Sequence, residues 1–149
     1  MSISTIVVGY DHTDPSKHAL ERASEIAKAF GAKIVVTSVA PLLHSSPRAA
    51  AAGPADPLDN LTHHEEELAE AKAVLDGQGI EVELVPAIGE PASAIVQLAE
   101  QRDADLVVVG TREVGVIQRV LGQSVSQEIA RRIHRDVLIV HPARSTRSR

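Results

Sequence analysis

Residues 105–110 read DLVVVG, and the four apolar residues inside that stretch decide the fold. A strand that is apolar at every position has no face for water, so Leu106 to Val109 belong in the middle of a sheet covered on both sides. Ile6 to Val8, inside the run TIVVG at residues 5–9, repeat the pattern. Ile80 to Val85, IEVELV, instead alternate apolar residues with Glu81 and Glu83, as an edge strand with one wet face would. Lys33 to Val39, KIVVTSV, and Val137 to Val140, VLIV, complete five strands.

Helical spacing fills the intervals. Ala19, Ala23, Ile26, Ala27 and Phe30 form one apolar stripe, opened by Pro15 and closed by Gly31. Leu61, Leu68, Ala71 and Leu75 form a second, Pro91 to Arg102 supply a third helix, and Val125, Ile129, Ala130 and Ile133 mark a fourth. Strict alternation of strand and helix predicts an open five-stranded parallel sheet with helices on both faces and right-handed crossovers. Placing the two wholly apolar strands centrally and IEVELV outside gives the order 3-2-1-4-5. Strand order then reverses between strands 1 and 4, and a ligand is expected beyond their carboxyl ends, GYDH at 9–12 and GTRE at 110–113.

At 149 residues and 44% hydrophobic, the chain suits one domain with a real core, placed at residues 1–142, followed by a basic tail, ARSTRSR, expected to be disordered. An aromatic content of 1% argues against a protein that stacks bases, and a net charge of -5 against one that tracks a phosphate backbone, so no nucleic-acid partner is expected. The absence of cysteine removes thiolate chemistry and zinc-thiolate sites. No apolar run approaches the roughly 18 residues of a membrane span, and the start MSISTIVVGYD carries no basic leader, so a cytoplasmic protein without a membrane partner is expected. Residues 40–60 hold four prolines and an alanine run; they are read as a mobile insertion, with a functional lid as the other reading.

The strand ends exclude several ligand classes that share this topology. GYDHTD after strand 1 is not the G-x-G-x-x-G of a dinucleotide site, and no G-K-[ST] triplet exists for a Walker loop. YDHTDP is acidic and ends in proline, unlike the Ser/Thr/Gly-rich loop of a flavodoxin. VPAIGEP and VHPA, after strands 3 and 5, lack the Asp and Lys of a phospho-receiver.

What remains is the loop after strand 4. Three blocks, TIVVGYDHTDPSKHALERA, AIGEPASAIVQLAEQRDADLVVVG and GQSVSQEIARRIHRDVLIVH, in this order and spacing, resemble the universal stress protein family. The resemblance covers nearly everything outside residues 40–60 and implies a Rossmann-like, adenine-nucleotide-alpha-hydrolase-like fold. Nucleotide-binding members carry G-x2-G-x9-G-[ST] after strand 4. Counted from Gly110, the second motif position here is Glu113, the third is Gln123, and Ser124 keeps the hydroxyl. The resemblance implies binding of ATP or another adenine nucleotide, with magnesium as a candidate companion held by Asp11. The residues implied are Gly9, Tyr10 and Asp11 after strand 1, Val39 after strand 2, and Val109, Gly110, Thr111 and Arg112 after strand 4. Gly115, Gly122, Gln123, Ser124, Val125 and Ser126 continue the site into the last helix.

The two substitutions bear on affinity. Glycine lets backbone N–H groups reach phosphate oxygens without a Cβ in the way. A carboxylate at Glu113, about 5 Å from a phosphate charge, costs on the order of 3 kcal/mol at an effective dielectric near 20. Arg112, Arg119 and the N-terminus of the last helix act in the opposite direction. Two readings therefore stand: a retained but weakened nucleotide site, or a structural loop in which Gly110 ends a strand and Ser124 caps a helix. Asp11 likewise is either a ligand to nucleotide or metal, or a turn acceptor ahead of Asp14 and Pro15.

Histidine carries less. His63 and His64 are adjacent and have no i+4 histidine partner, so with HHEEELAE they are read as a solvated helix face, and His12 as a residue beside the crevice. No general base, nucleophile and oxyanion site assemble at the ends of strands 1 and 4, so the expected function is a regulatory or sensor protein rather than an enzyme. A dimeric interaction protein whose pocket has lapsed is the alternative, and a slow nucleotide hydrolase using Asp11 and a metal is a third reading. VLIVH is an apolar edge without proline or inward charge, which predicts a homodimer through strand 5, as is common in the resembled family.

Overall fold

The computed structural model describes residues 2–40, 57–111 and 125–141, with residues 57–62 and 125–126 described by backbone alone. The elements are β1 (Thr5–Gly9), α1 (Asp14–Phe30), β2 (Lys33–Ala40), α2 (Pro57–Leu75), β3 (Val82–Ile88), α3 (Pro91–Gln101), β4 (Leu106–Gly110), α4 (Val125–Arg132) and β5 (Asp136–Val140). All strand pairs are parallel and the order is β3-β2-β1-β4-β5, as the hydrophobic patterns predict.

Period-2 alternation splits each central strand between two cores. Ile6, Val8, Ile34, Val36, Leu106 and Val108 pack with α1 and α2. Val7, Val35, Val107 and Val109 pack with α3 and α4. Ile6, Val7, Val8, Val107 and Val108 are completely buried, which is what an uninterrupted apolar strand requires.

Local chemistry sets the element ends. Thr13 is the N-cap of α1, its side chain accepting from Ser16 N–H, with Pro15 in the first turn; Gly31 closes the helix in the left-handed region at φ 70°. β3 differs from its predicted span: it begins at Val82 and runs through Pro86 to Ile88. Ile34 N–H donates to the Glu81 carbonyl, so odd-numbered residues of β3 turn their main chain toward β2. Pro86 therefore faces the open edge, where its missing N–H costs no ladder bond. Glu83 is not simply hydrated either. Arg102 donates to it through Nε and Nη2, the latter at 2.6 Å, and Lys33 approaches to 3.2 Å, so its carboxyl lies below the ordinary range, chiefly through the Arg102 hydrogen bonds.

The predicted insertion at 40–60 is shorter at both ends: Ala40 belongs to β2, and 57–60 are already helical, beginning at a proline suited to a first turn. The rest of that segment and the basic tail lie outside the described residues. Among the described residues no helix is long and apolar enough to cross a membrane.

Candidate functional site

Strand order reverses between β1 and β4, and a crevice opens beyond their carboxyl ends with about 600 Å³ of empty space, part of it open to solvent. Gly9, Tyr10, Asp11, Val39, Val109 and Gly110 line it, so six of the residues marked by the sequence meet there. Thr13, Ser16, Thr37, Pro91 and Ile95 line it as well.

Gly110 explains how α1 comes so close. A Cβ at this position would stand 2.5 Å from the Pro15 carbonyl oxygen, so only glycine lets the first turn of α1 pack against the end of β4. Gly9 leaves the opposite wall open, since a Cβ there would stand 3.0 Å from Ile95 Cδ1.

The turn from β1 to α1 is wired by its own polar groups. Asp11 Oδ1 accepts from the Thr13 N–H at 3.1 Å and from the Thr13 hydroxyl. Asp11 N–H donates to Ser16 Oγ, which donates in turn to the Thr13 carbonyl. Asp11 thus serves as a turn acceptor at the edge of the crevice.

Val39 contributes through its main chain. Tyr10 N–H donates to the Thr37 carbonyl, and Gly89 N–H to that of Ala40. Alternation along a parallel strand then turns the Val39 N–H and C=O toward the space beyond the end of β1. No Lys, Arg or His stands among the described lining residues, so this part of the crevice suits a flat, mostly apolar group better than a phosphate.

Two expectations are corrected on the α2 side, those for His12 and for the run HHEEELAE. His12 adopts φ 66° and turns from the crevice to Glu70, with Nδ1 2.8 Å from the carboxylate. Tyr10, 2% exposed, donates its hydroxyl to Glu70 at 2.8 Å. Burial, then the Glu70 hydrogen bond and the charges of Glu70, Glu67 and Asp11, hold the phenol well above its usual range. The same bond, with His12 adding to it, lowers the Glu70 carboxyl against partial desolvation. Nor is HHEEELAE a uniformly solvated face. His63 is exposed, but Glu67 is buried and accepts from the Ser38 hydroxyl at 2.6 Å, while His64 Nδ1 meets the same hydroxyl. Ser38 thus bridges Glu67, to which it donates, and His64 Nδ1 across the α2 side of the sheet.

Thr111 is placed beside β5, its N–H bonded to the Val140 carbonyl, and is not among the residues that line the described part of the crevice. Arg112, Glu113, Gly115, Gly122, Gln123 and Ser124 lie outside the described residues; Val125 and Ser126 are placed only as backbone at the start of α4. Sequence reasoning missed Thr13, Ser16, Thr37, Pro91 and Ile95. Two signals were available: the Thr-Asp-Pro-Ser run is a helix start in which threonine can cap, and Thr37 and Ser38 interrupt an otherwise apolar central strand.

Residues 2–141 match the model of the universal stress protein family. Universal stress protein Rv1636 of Mycobacterium tuberculosis (strain H37Rv) is 36% identical over 146 residues, 92% of this chain and 95% of the relative. A crystal structure of a universal stress protein in complex with cAMP is 33% identical and superposes with a TM-score of 0.71 over 96% of this chain and all of that one. The universal stress protein from Archaeoglobus fulgidus in complex with dAMP, 23% identical, shares the fold with a TM-score of 0.68 over 94% of this chain and 99% of its own. With the family model matched across nearly its whole length, and a relative 36% identical over 92% of it, this chain belongs to the universal stress protein family.

Proposed function

We propose that this chain is a regulatory or sensor protein that binds an adenine nucleotide at the carboxyl ends of β1 and β4. One observation carries the reading: at the reversal of strand order, apolar walls from Val39, Ile95 and Val109 meet two glycines and the Asp11 turn. A relative at 33% identity is in complex with cAMP, which supports the ligand class. Base and ribose fit the described crevice, with Asp11 toward the sugar. Phosphate contacts fall to residues 110–126, where Glu113 and Gln123 replace the family's glycines.

ATP is the proposed physiological ligand, with its phosphate contacts weakened. Asp11 offers magnesium a single carboxylate, so a metal would depend on the nucleotide's phosphates for most of its shell. The family and crevice support binding and regulation rather than turnover. The open edge of β5, with Val137, Leu138 and Ile139 half-buried, supports the proposed homodimer.

Calorimetric titration with ATP, AMP and cAMP tests the reading. Binding is expected for each, and Glu113→Gly with Gln123→Gly is expected to tighten ATP about tenfold, AMP less, because 1.4 kcal/mol is one decade. No binding of any of the three at millimolar concentration, before and after the double change, supports the alternative of an interaction protein with a lapsed pocket. Ile139→Lys is expected to yield monomers; a persistent dimer mass would place the interface elsewhere.

A further inference from the structure

Among the described residues, one buried side-chain polar atom has no hydrogen-bond partner: the hydroxyl of Thr37, a residue 1% exposed. Thr37 is one of the residues that line the crevice. Its register partners are Gly9 on β1, which has no side chain to offer it, and Val85 on β3, which is apolar. Strand parity puts Thr37 on the same face as Val35 and Val39, the face that packs on α3. Its carbonyl is already taken by Tyr10 N–H, so the hydroxyl alone is left over.

A buried hydroxyl without a partner carries a desolvation cost that valine, of the same shape, would avoid. The surrounding walls are Val39, Ile95 and Val109, with Gly9 opening the space beside it. A phosphate would be poorly received here, because no cation stands among the described lining residues; an aromatic base with polar edge atoms fits both the apolar walls and the single hydroxyl. We propose that Thr37 reads the base, its Oγ1 hydrogen-bonding a polar edge atom of a purine seated between Val39 and Ile95, which makes it a specificity-determining residue. A site that spends a buried hydroxyl on its ligand discriminates against analogues that cannot answer it. This inference rests on the adenine-nucleotide reading above.

The test compares wild type, Thr37→Val and Thr37→Ser by calorimetry with ATP, adenosine and 2′,3′-dideoxyadenosine, and by melting of the free protein. Thr37→Val is expected to weaken all three ligands by the same factor, about five- to tenfold, with no fall in Tm without ligand. Thr37→Ser, which keeps the hydroxyl, is expected to stay within about twofold of wild type. Unchanged affinity in Thr37→Val shows that water rather than ligand satisfies the hydroxyl, and overturns the proposal while nucleotide binding stands. A loss confined to ATP assigns the hydroxyl to phosphate, and a parallel fall in Tm assigns it to the fold; either overturns it. If wild type binds none of the three ligands, the nucleotide reading fails and this inference falls with it.

Discussion

Thr37 and Ser38 are neighbours on one strand, both buried, yet they face opposite sides of the sheet and live in different chemistry. On the α2 side Ser38 meets Glu67 and His64, and close by Tyr10 and His12 share Glu70. On the α3 side Thr37 meets apolar walls and has no partner. The first region satisfies its own polar groups and gains a fixed position for α2 on the sheet. The second leaves a group unsatisfied, at a cost of about 1–3 kcal/mol in a dry site, and lies beside open space. That asymmetry separates a structural network from a binding wall, which burial alone does not.

The crevice side should break most severely at Gly110. Gly110→Ala drives a Cβ into the main chain of Pro15, and backbone yields less readily than a side-chain tip. A loss of about 3 kcal/mol is expected from the shift in the urea midpoint. A variant as stable as wild type would mean that α1 does not approach β4 so closely.

The α2 side should yield somewhat less to Glu67→Ala, which strips the acceptor from Ser38 and the facing carboxylate from both His63 and His64. About 2 kcal/mol is expected, since His64 can turn toward water while Ser38 cannot. A still smaller effect makes the contrast direct. Ser38→Ala should cost about 1 kcal/mol, whereas Thr37→Val should cost nothing in the free protein. Equal losses at the two positions would erase the distinction between the two faces.

A third polar cluster, at the outer edge of the sheet, gives the gentlest test because charge rather than burial holds it. Arg102 lowers the Glu83 carboxyl, so the folded state favours the ionised form. The stability it contributes is present above the unfolded pKa, about 4.3, and is lost as pH falls through the depressed folded value. The gap in Tm between wild type and Glu83→Gln should therefore be open at pH 7 and close in acid. A gap independent of pH would assign Glu83 a packing role instead.

Much of the fold was legible because its determinants are local in pattern. LVVV can be buried only between two layers, IEVELV needs water on one side, and Pro15 and Gly31 bracket α1. The end of β3 was misjudged because proline reads as a terminator until its strand is known to lie at an edge. The site was legible in part. Gly9, Tyr10, Asp11 and Gly110 lie at strand ends that topology carries to one rim, whereas Val39 and Val109 were implied by the family resemblance. His12, His64 and Glu67 were misread, because a helical repeat marks a face as polar without showing which polar groups meet partners across the sheet.

By itself the sequence determined the layer arrangement, the strand order and the rim where a ligand would lie, because hydrophobic periodicity and strand-end chemistry are properties of short segments. Only the tertiary structure decided why Gly110 must be glycine and why two adjacent hydroxyls differ. Pro15 is 95 residues from Gly110, and the partners of Ser38 lie 26 and 29 residues away on another element. Such meetings depend on how layers pack, and no local pattern encodes them.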